Sequence, residues 1–162
     1  MSPFDFTFTD ERGREDRMIA QLNVARAVAD LDAPEMADFM MSLDRINALA
    51  EHHDGFVWRL KDEGGNATDI KVTDDPRFIM NLSVWRSVPD LHHFVFTTDH
   101  REFVQRGREF FEAPQDKAFV LWRLEGAEMP TIDEAFARLQ HLRDHGPHDY
   151  AFDWQSWKKY AL

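Results

Sequence analysis

At 162 residues the chain fits one domain with room for a proper core. A hydrophobic share of 43% and an aromatic share of 13% are those of a globular protein, while a formal net charge of −11 argues against nucleic acid and anionic membrane surfaces, both of which need a basic face. The chain has no cysteine, which excludes disulfides, thiolate metal sites and a cysteine nucleophile.

No apolar run approaches membrane-spanning length. The opening segment MSPFDFTFTDERGREDR is acidic and broken by charge, unlike a signal peptide, so a cytoplasmic location is expected. Met1–Asp16 reads as an arm in which Phe4, Phe6 and Phe8 alternate, either a flexible tail or an edge strand. Arg17–Arg26 reads as a strand: Ala20, Leu22 and Val24 share one face, and Ile19, Gln21, Asn23 and Ala25 the other. A helix follows over Asp32–His53, with Asp32 as N-cap, Glu35 as its capping-box partner and Pro34 in the first turn. Met36, Phe39, Met40, Leu43, Ile46 and Leu49 form its apolar stripe, and Gly55 ends it.

Gly55–Lys61 is the second strand, where Phe56, Trp58 and Leu60 alternate with Val57, Arg59 and Lys61. Burying an unpaired charge is costly, so Arg59 is placed on the side of Asn23 and Trp58 under the helices. Asp62–Pro76 is a polar loop with Gly64-Gly65 at its tip and a hairpin extension expected at Asp69–Val72. Asp69, Asp74 and Asp75 lack the ligand spacing of a calcium loop and read as a solvated turn.

Phe78–Trp85 is the central strand, Met80, Leu82 and Val84 facing one way and Asn81, Ser83 and Trp85 the other. An amide, a hydroxyl and an indole on one face suggest a cavity floor rather than plain core. Ser87 then caps a helix carrying Leu91, Phe94 and Val95, and Thr97-Thr98-Asp99 signals a break and restart with His100 in the new first turn. Phe103, Val104 and Phe110 continue the stripe to Pro114. Lys117–Leu124 is the fourth strand, and Thr131 with Glu134 forms a capping box for a last helix stopped at Gly146-Pro147. The tail Tyr150–Leu162 carries Tyr150, Phe152, Trp154, Trp157 and Tyr160, too many aromatics to leave wet, and is expected to dock on the body or on a second subunit.

The expected organisation is an arm at 1–16, a domain at 17–147 and an aromatic tail at 148–162. The element order is that of an α+β, ferredoxin-like βαββαβ unit with a four-stranded antiparallel sheet. The helices are expected over its apolar face alone. A second copy of the chain is then the simplest cover for the other face, giving a homodimer.

The stretches QLNVARAVADLDAPEMADFM, INALAEHHDGFVWRLKDEGGNATDI, NLSVWRSVPDLHHFVFTTDHREFVQRGREFF and FVLWRLEGAEMPTIDEAFARLQHLRDHGP resemble the family known as domain of unknown function 3291, within the dimeric α/β-barrel superfamily. The resemblance runs from about Ile19 to Pro147. It implies a homodimer whose sheets close a barrel with a small-molecule pocket in each half. It also implies relatives that range from cofactor-independent antibiotic-biosynthesis monooxygenases to haem-degrading enzymes and isomerases. Asn23, Asn81, Trp85 and His100 are similar to the polar strand residues, strand-ending tryptophan and short-helix histidine of the monooxygenases. Asn23 also matches the asparagine of the haem-degrading relatives. His92 and Glu102, however, stand where those proteins carry tryptophan and histidine, which weakens haem as a cofactor.

The candidate pocket set is Asn23, Arg59, Asn81, Ser83, Trp85, His100 and Trp122. His100 is the candidate base, drawing a proton from a phenol or enol so that it reacts with oxygen; Arg59 is the candidate for a developing enolate. Asn81 and Trp85 complete the expected catalytic set, with Asn23, Ser83 and Trp122 as ligand contacts. The competing reading is that the asparagines pair within a barrel core, the tryptophans pack a dimer and His100 has a structural role at a helix end. His141, His145 and His148 have helix-face spacing for Zn²⁺ but no accompanying general base, so no metal and no cofactor are expected. The function expected is a monooxygenase or isomerase on an aromatic or polyketide-like molecule. A non-catalytic ligand-binding dimer and a haem-binding protein are the alternatives.

Overall fold

The computed structural model describes residues 18–61, 73–126 and 128–161. The expected arm at Met1–Asp16 and the hairpin extension at Asp69–Val72 lie outside the described residues. In chain order the elements are β1 (Ile19–Arg26), α1 (Ala37–Glu51), β2 (Phe56–Arg59), β3 (Phe78–Trp85), α2 (Val88–Thr97), α3 (His100–Gln105), α4 (Gly107–Phe110), β4 (Phe119–Arg123), α5 (Ile132–His145) and α6 (Trp157–Tyr160). The strands form a four-stranded sheet in the order β2-β3-β1-β4, each neighbouring pair antiparallel. That order is the ferredoxin-like one expected from the element sequence. No described helix is long and apolar enough to cross a membrane.

Local signals decide most of the boundaries. Ser87 Oγ accepts from Asp90 N at 3.2 Å and opens α2, and Thr131 Oγ1 accepts from Glu134 N at 3.1 Å and opens α5. The expected break after α2 is present: the Thr97 and Thr98 hydroxyls donate to the carbonyls of His93 and Phe94 at 2.6 and 2.5 Å, ending the helix before His100 starts α3. Asp32 does not cap α1. A 3-10 turn over Pro34–Met36 comes first, with Ala33 at its cap position and no side-chain cap bond. Pro34 lacks an N–H and so needs no acceptor there.

The two sheet faces are covered by different helices, and here the structure reverses an expectation. Ala20, Leu22, Val24, Met80, Leu82, Val84, Val120 and Trp122 pack beneath α5, against Ala135, Leu139 and Leu142. Helices α1 and α2 lie on the opposite face, over Ile19, Trp85 and Leu121. Right-handed strand–helix–strand crossovers put α1 and α2 on one side of the sheet together, and that handedness does not depend on which face is oilier. The apolar face is therefore closed by the chain's own α5. The physical reason the sequence offered for a second copy on a bare face does not apply.

Two further details shift. A bulge between Phe56 and Trp58 pairs Phe56 with Trp85 but Trp58 with Val84 and Arg59 with Ser83. Phe56 and Arg59 thus share the amide-bearing face, whereas simple alternation put Phe56 with Trp58. The tail docks on the body. Phe152 exchanges backbone hydrogen bonds with Leu121 at 2.8 and 2.9 Å, adding one bridge to the β4 edge, and Ala151 and Phe152 are fully buried. Trp157 and Tyr160 then pack on the cluster beneath α2.

Candidate functional site

On the α1/α2 face the core is split. One cluster, around Ile19, Trp85, Leu91, Phe94 and Phe152, fills one end; another, around Ala27, Met36 and Phe110, fills the other. Between them lies a chamber of 410 Å³, within the size range of about 300–1,000 Å³ usual for small-molecule sites. Its floor is Gln21, Asn23, Asn81, Ser83 and Trp85 from β1 and β3. One wall comes from α1 through Phe39, Leu43 and Ile46, and the roof from α2 and α3 through Phe94, Val95 and His100. Phe119 and Trp154 close the β4 side, their rings stacked at 4.8 Å and 10°.

The chamber's floor is a connected set of polar groups. Antiparallel register sets Gln21 opposite Ser83 and Asn23 opposite Asn81. Gln21 Nε2 donates to Ser83 Oγ at 2.7 Å and also meets Asn81 Oδ1 and the Asn81 carbonyl. Three oxygens around that nitrogen fix which way the amide points. Trp85 Nε1 donates to the same Ser83 Oγ at 2.9 Å. Ser83 Oγ thus accepts twice, and its own O–H remains to be donated. Asn23 and Asn81 are exposed to the chamber, while Gln21 and Ser83 are buried.

Arg59 enters from β2 with a side chain only 9% accessible, its Nε 2.8 Å from Glu51 Oε1 at the end of α1. His100 Nδ1 lies 3.2 Å from the Val95 carbonyl oxygen. A carbonyl only accepts, so Nδ1 carries the proton and Nε2 the lone pair. Burial holds the His100 pKa below its ordinary value, and the bond to Val95 opposes that only in part. The ring is held in place against Phe94 at a centroid distance of 5.1 Å.

The fold brings Asn23, Arg59, Asn81, Ser83, Trp85 and His100 to one lining. It does not bring Trp122 there. Pairing with Ala20 turns Trp122 to the α5 side, where it is fully buried, its Nε1 without a hydrogen-bond partner and the Arg138 guanidinium 5.9 Å from its ring. Phe119 takes the wall position instead. The chamber itself lies inside one chain, between the sheet and its own helices, rather than between two protomers as expected.

Sequence reasoning also missed Gln21 as a site residue, although its alternation with Asn23 placed it on that face. Trp154 carried no such signal, because only the tail's return along β4 brings it to the chamber. Haem was a further possibility raised by the sequence. Among the described residues, His100 is the one histidine on the lining. His92 sits outside against Phe96 and Trp154 at 4.6 and 5.6 Å, and His93 bonds His53 at 2.9 Å. Glu102 is not on the lining either, so these residues do not fit the haem-degrading pattern. His141 packs ring against ring with His145 and His148 at 4.7 and 6.0 Å, and no group of three His, Asp or Glu among the described residues is arranged to hold a metal ion.

A family model described as "Domain of unknown function (DUF3291)" matches residues 18–161, so it extends through the aromatic tail. No curated protein matches the sequence. Among solved structures the chain is similar to a mutant form of SnoaB, a cofactor-independent oxygenase from Streptomyces nogalater, at 13% identity and a TM-score of 0.45, over 70% of this chain and 96% of that one. It is also similar to a monooxygenase from the gene ActVA-Orf6 of Streptomyces coelicolor, in complex with Nanaomycin D, at 14% identity and 0.42, over 71% and 93%. A protein of unknown function from Nitrosomonas europaea, NE2512, is similar at 14% identity and 0.46, over 72% and 97%.

Proposed function

We propose that this chain, which belongs to the DUF3291 family, binds a small aromatic molecule in its chamber. There His100 takes a proton from it, preparing it to react with oxygen without a cofactor. The observation that carries this reading is the state of His100. It is half-buried on the chamber lining, desolvation lowers its pKa, and the Val95 carbonyl takes its Nδ1–H so that Nε2 keeps a lone pair. The same lining carries Arg59, a cation for a developing enolate oxygen, and the Asn23 and Asn81 amides, which can bond a phenol or carbonyl. Trp85 and Phe94, stacked at 5.0 Å, supply a flat apolar wall.

For a substrate such as anthrone the sum balances without a redox partner. The methylene carbon loses both hydrogens and becomes a carbonyl with one oxygen atom; the other oxygen leaves as water, and the substrate supplies all the electrons. Isomerisation needs the same first step, with the proton returned to a different carbon and no oxygen consumed.

Oxygen uptake with anthrone or a hydroquinone tests the reading. The wild type should consume oxygen, and His100→Asn should slow it by about 10²–10⁴-fold, the usual share of a general base, while ligand still binds. Undiminished uptake in that variant removes His100 from the mechanism. A second reading, a non-catalytic ligand binder, is favoured by the Gln21–Ser83–Trp85 bonds, which knit the floor together without any ligand. Binding of the same compounds with no oxygen uptake and no isomerised product would establish it.

A further inference from the structure

The described glycines differ in what demands them. Gly126 and Gly146 have φ of 90° and 76°, where other residues are strained. A Cβ on Gly55 would collide with Asp90 Cβ, so packing requires a glycine there. Gly107 has neither reason. Its φ is not positive, and a Cβ built on it meets nothing within 4 Å. It opens α4, a helical position where glycine is less favourable than alanine.

Gly107 lines the chamber. His100, Phe103 and Val104 from α3 and Phe111 just past α4 line it too, and among these neighbours Gly107 alone has no side chain. What a glycine preserves at this point is open space on the chamber's lining. We infer that Gly107 determines the size of molecule the chamber accepts: its missing side chain makes room for the distal ring of a fused polycyclic aromatic ligand. This inference rests on the ligand-binding reading above. The flat aromatic walls and the 410 Å³ volume, more than a single ring fills, agree with a fused ring system.

Quenching of tryptophan fluorescence by 1-naphthol and by 1,8-dihydroxyanthraquinone, two rings against three, tests it. Wild type should bind the three-ring compound more tightly. Gly107→Leu should weaken that binding by at least about tenfold, the scale of a methylene-sized misfit in an apolar pocket, and leave naphthol nearly unchanged. Gly107→Ala, which helix propensity favours, should melt no lower than wild type and show a smaller loss in the same direction; it decides the matter if the leucine variant does not fold. Unaltered three-ring affinity in both folded variants would overturn the role of Gly107 and leave the chamber standing. A wild type that binds neither compound would overturn both.

Discussion

The sheet's two faces are built to opposite ends. Beneath α5 the strands present an unbroken apolar surface, and Leu139 and Leu142 close it with almost no accessible area. Beneath α1 and α2 the described residues form core at the two ends, as two clusters, and the middle is a hollow floored with amides, a hydroxyl and an indole. A sheet packed on both faces is normal for stability; a sheet packed fully on one and hollow on the other separates the two tasks. The α5 face and the end clusters hold the fold, which leaves the centre free to keep polar groups that a plain core would have to exclude.

Removing residues 150–162 tests that division most severely. It strips Phe152 and Trp154 from the β4 edge, uncovers Leu121 and Phe119, and opens the chamber's side. Losing one buried aromatic side chain costs roughly 3–5 kcal/mol, so losing the whole strap should leave the domain barely folded or aggregating, as read by urea unfolding and light scattering. A truncated chain as stable and soluble as the full one would show that the tail is ornament.

Leu139→Ala on the closed face should cost about 2–5 kcal/mol, whereas Asn81→Ala on the hollow face should cost no more than about 1 kcal/mol, the net worth of a part-exposed hydrogen bond. Equal costs in paired denaturant titrations would mean that the chamber floor is ordinary core.

The smallest effect sharpens the comparison through pH. Burial lowers the His100 pKa below its unfolded value near 6.5. Between the two values the unfolded chain binds more protons, so the stability linked to His100 is present above pH 6.5 and is lost as pH falls through the folded value. His100→Phe should remove that part of the acid dependence, measured as the wild-type-minus-variant difference in unfolding free energy from pH 7.5 to 5. For the same reason, the acid limb of any His100-dependent turnover should fall below pH 6.5. A difference that does not change with pH would show that the ring is not held neutral by burial.

Much of this architecture was legible from residue order alone. Period-two alternation marked β1 and β3 and sorted Asn23, Asn81, Ser83 and Trp85 onto one side, because side-chain direction along a strand is a local property. Ser87, Thr131 and the Thr97-Thr98 break were readable for the same reason: a cap is a bond between near neighbours. Which helices lie over which face was not local. It follows from crossover handedness and from where α5 returns, so the polar residues were sorted onto a common face while the hollow was put on the wrong side of the helices. Trp122 went astray because strand parity tells two faces apart without saying which one is hollow. Gln21 gains its place from the β1–β3 register, which sets it across from Ser83, and Trp154 from the return of the tail along β4. The amino-acid order by itself determined most of the elements, the caps of α2 and α5 and the sharing of faces along β1 and β3. Only the tertiary structure decided that the amide face is roofed by the chain's own helices with a chamber between, because that depends on contacts between residues far apart in the chain.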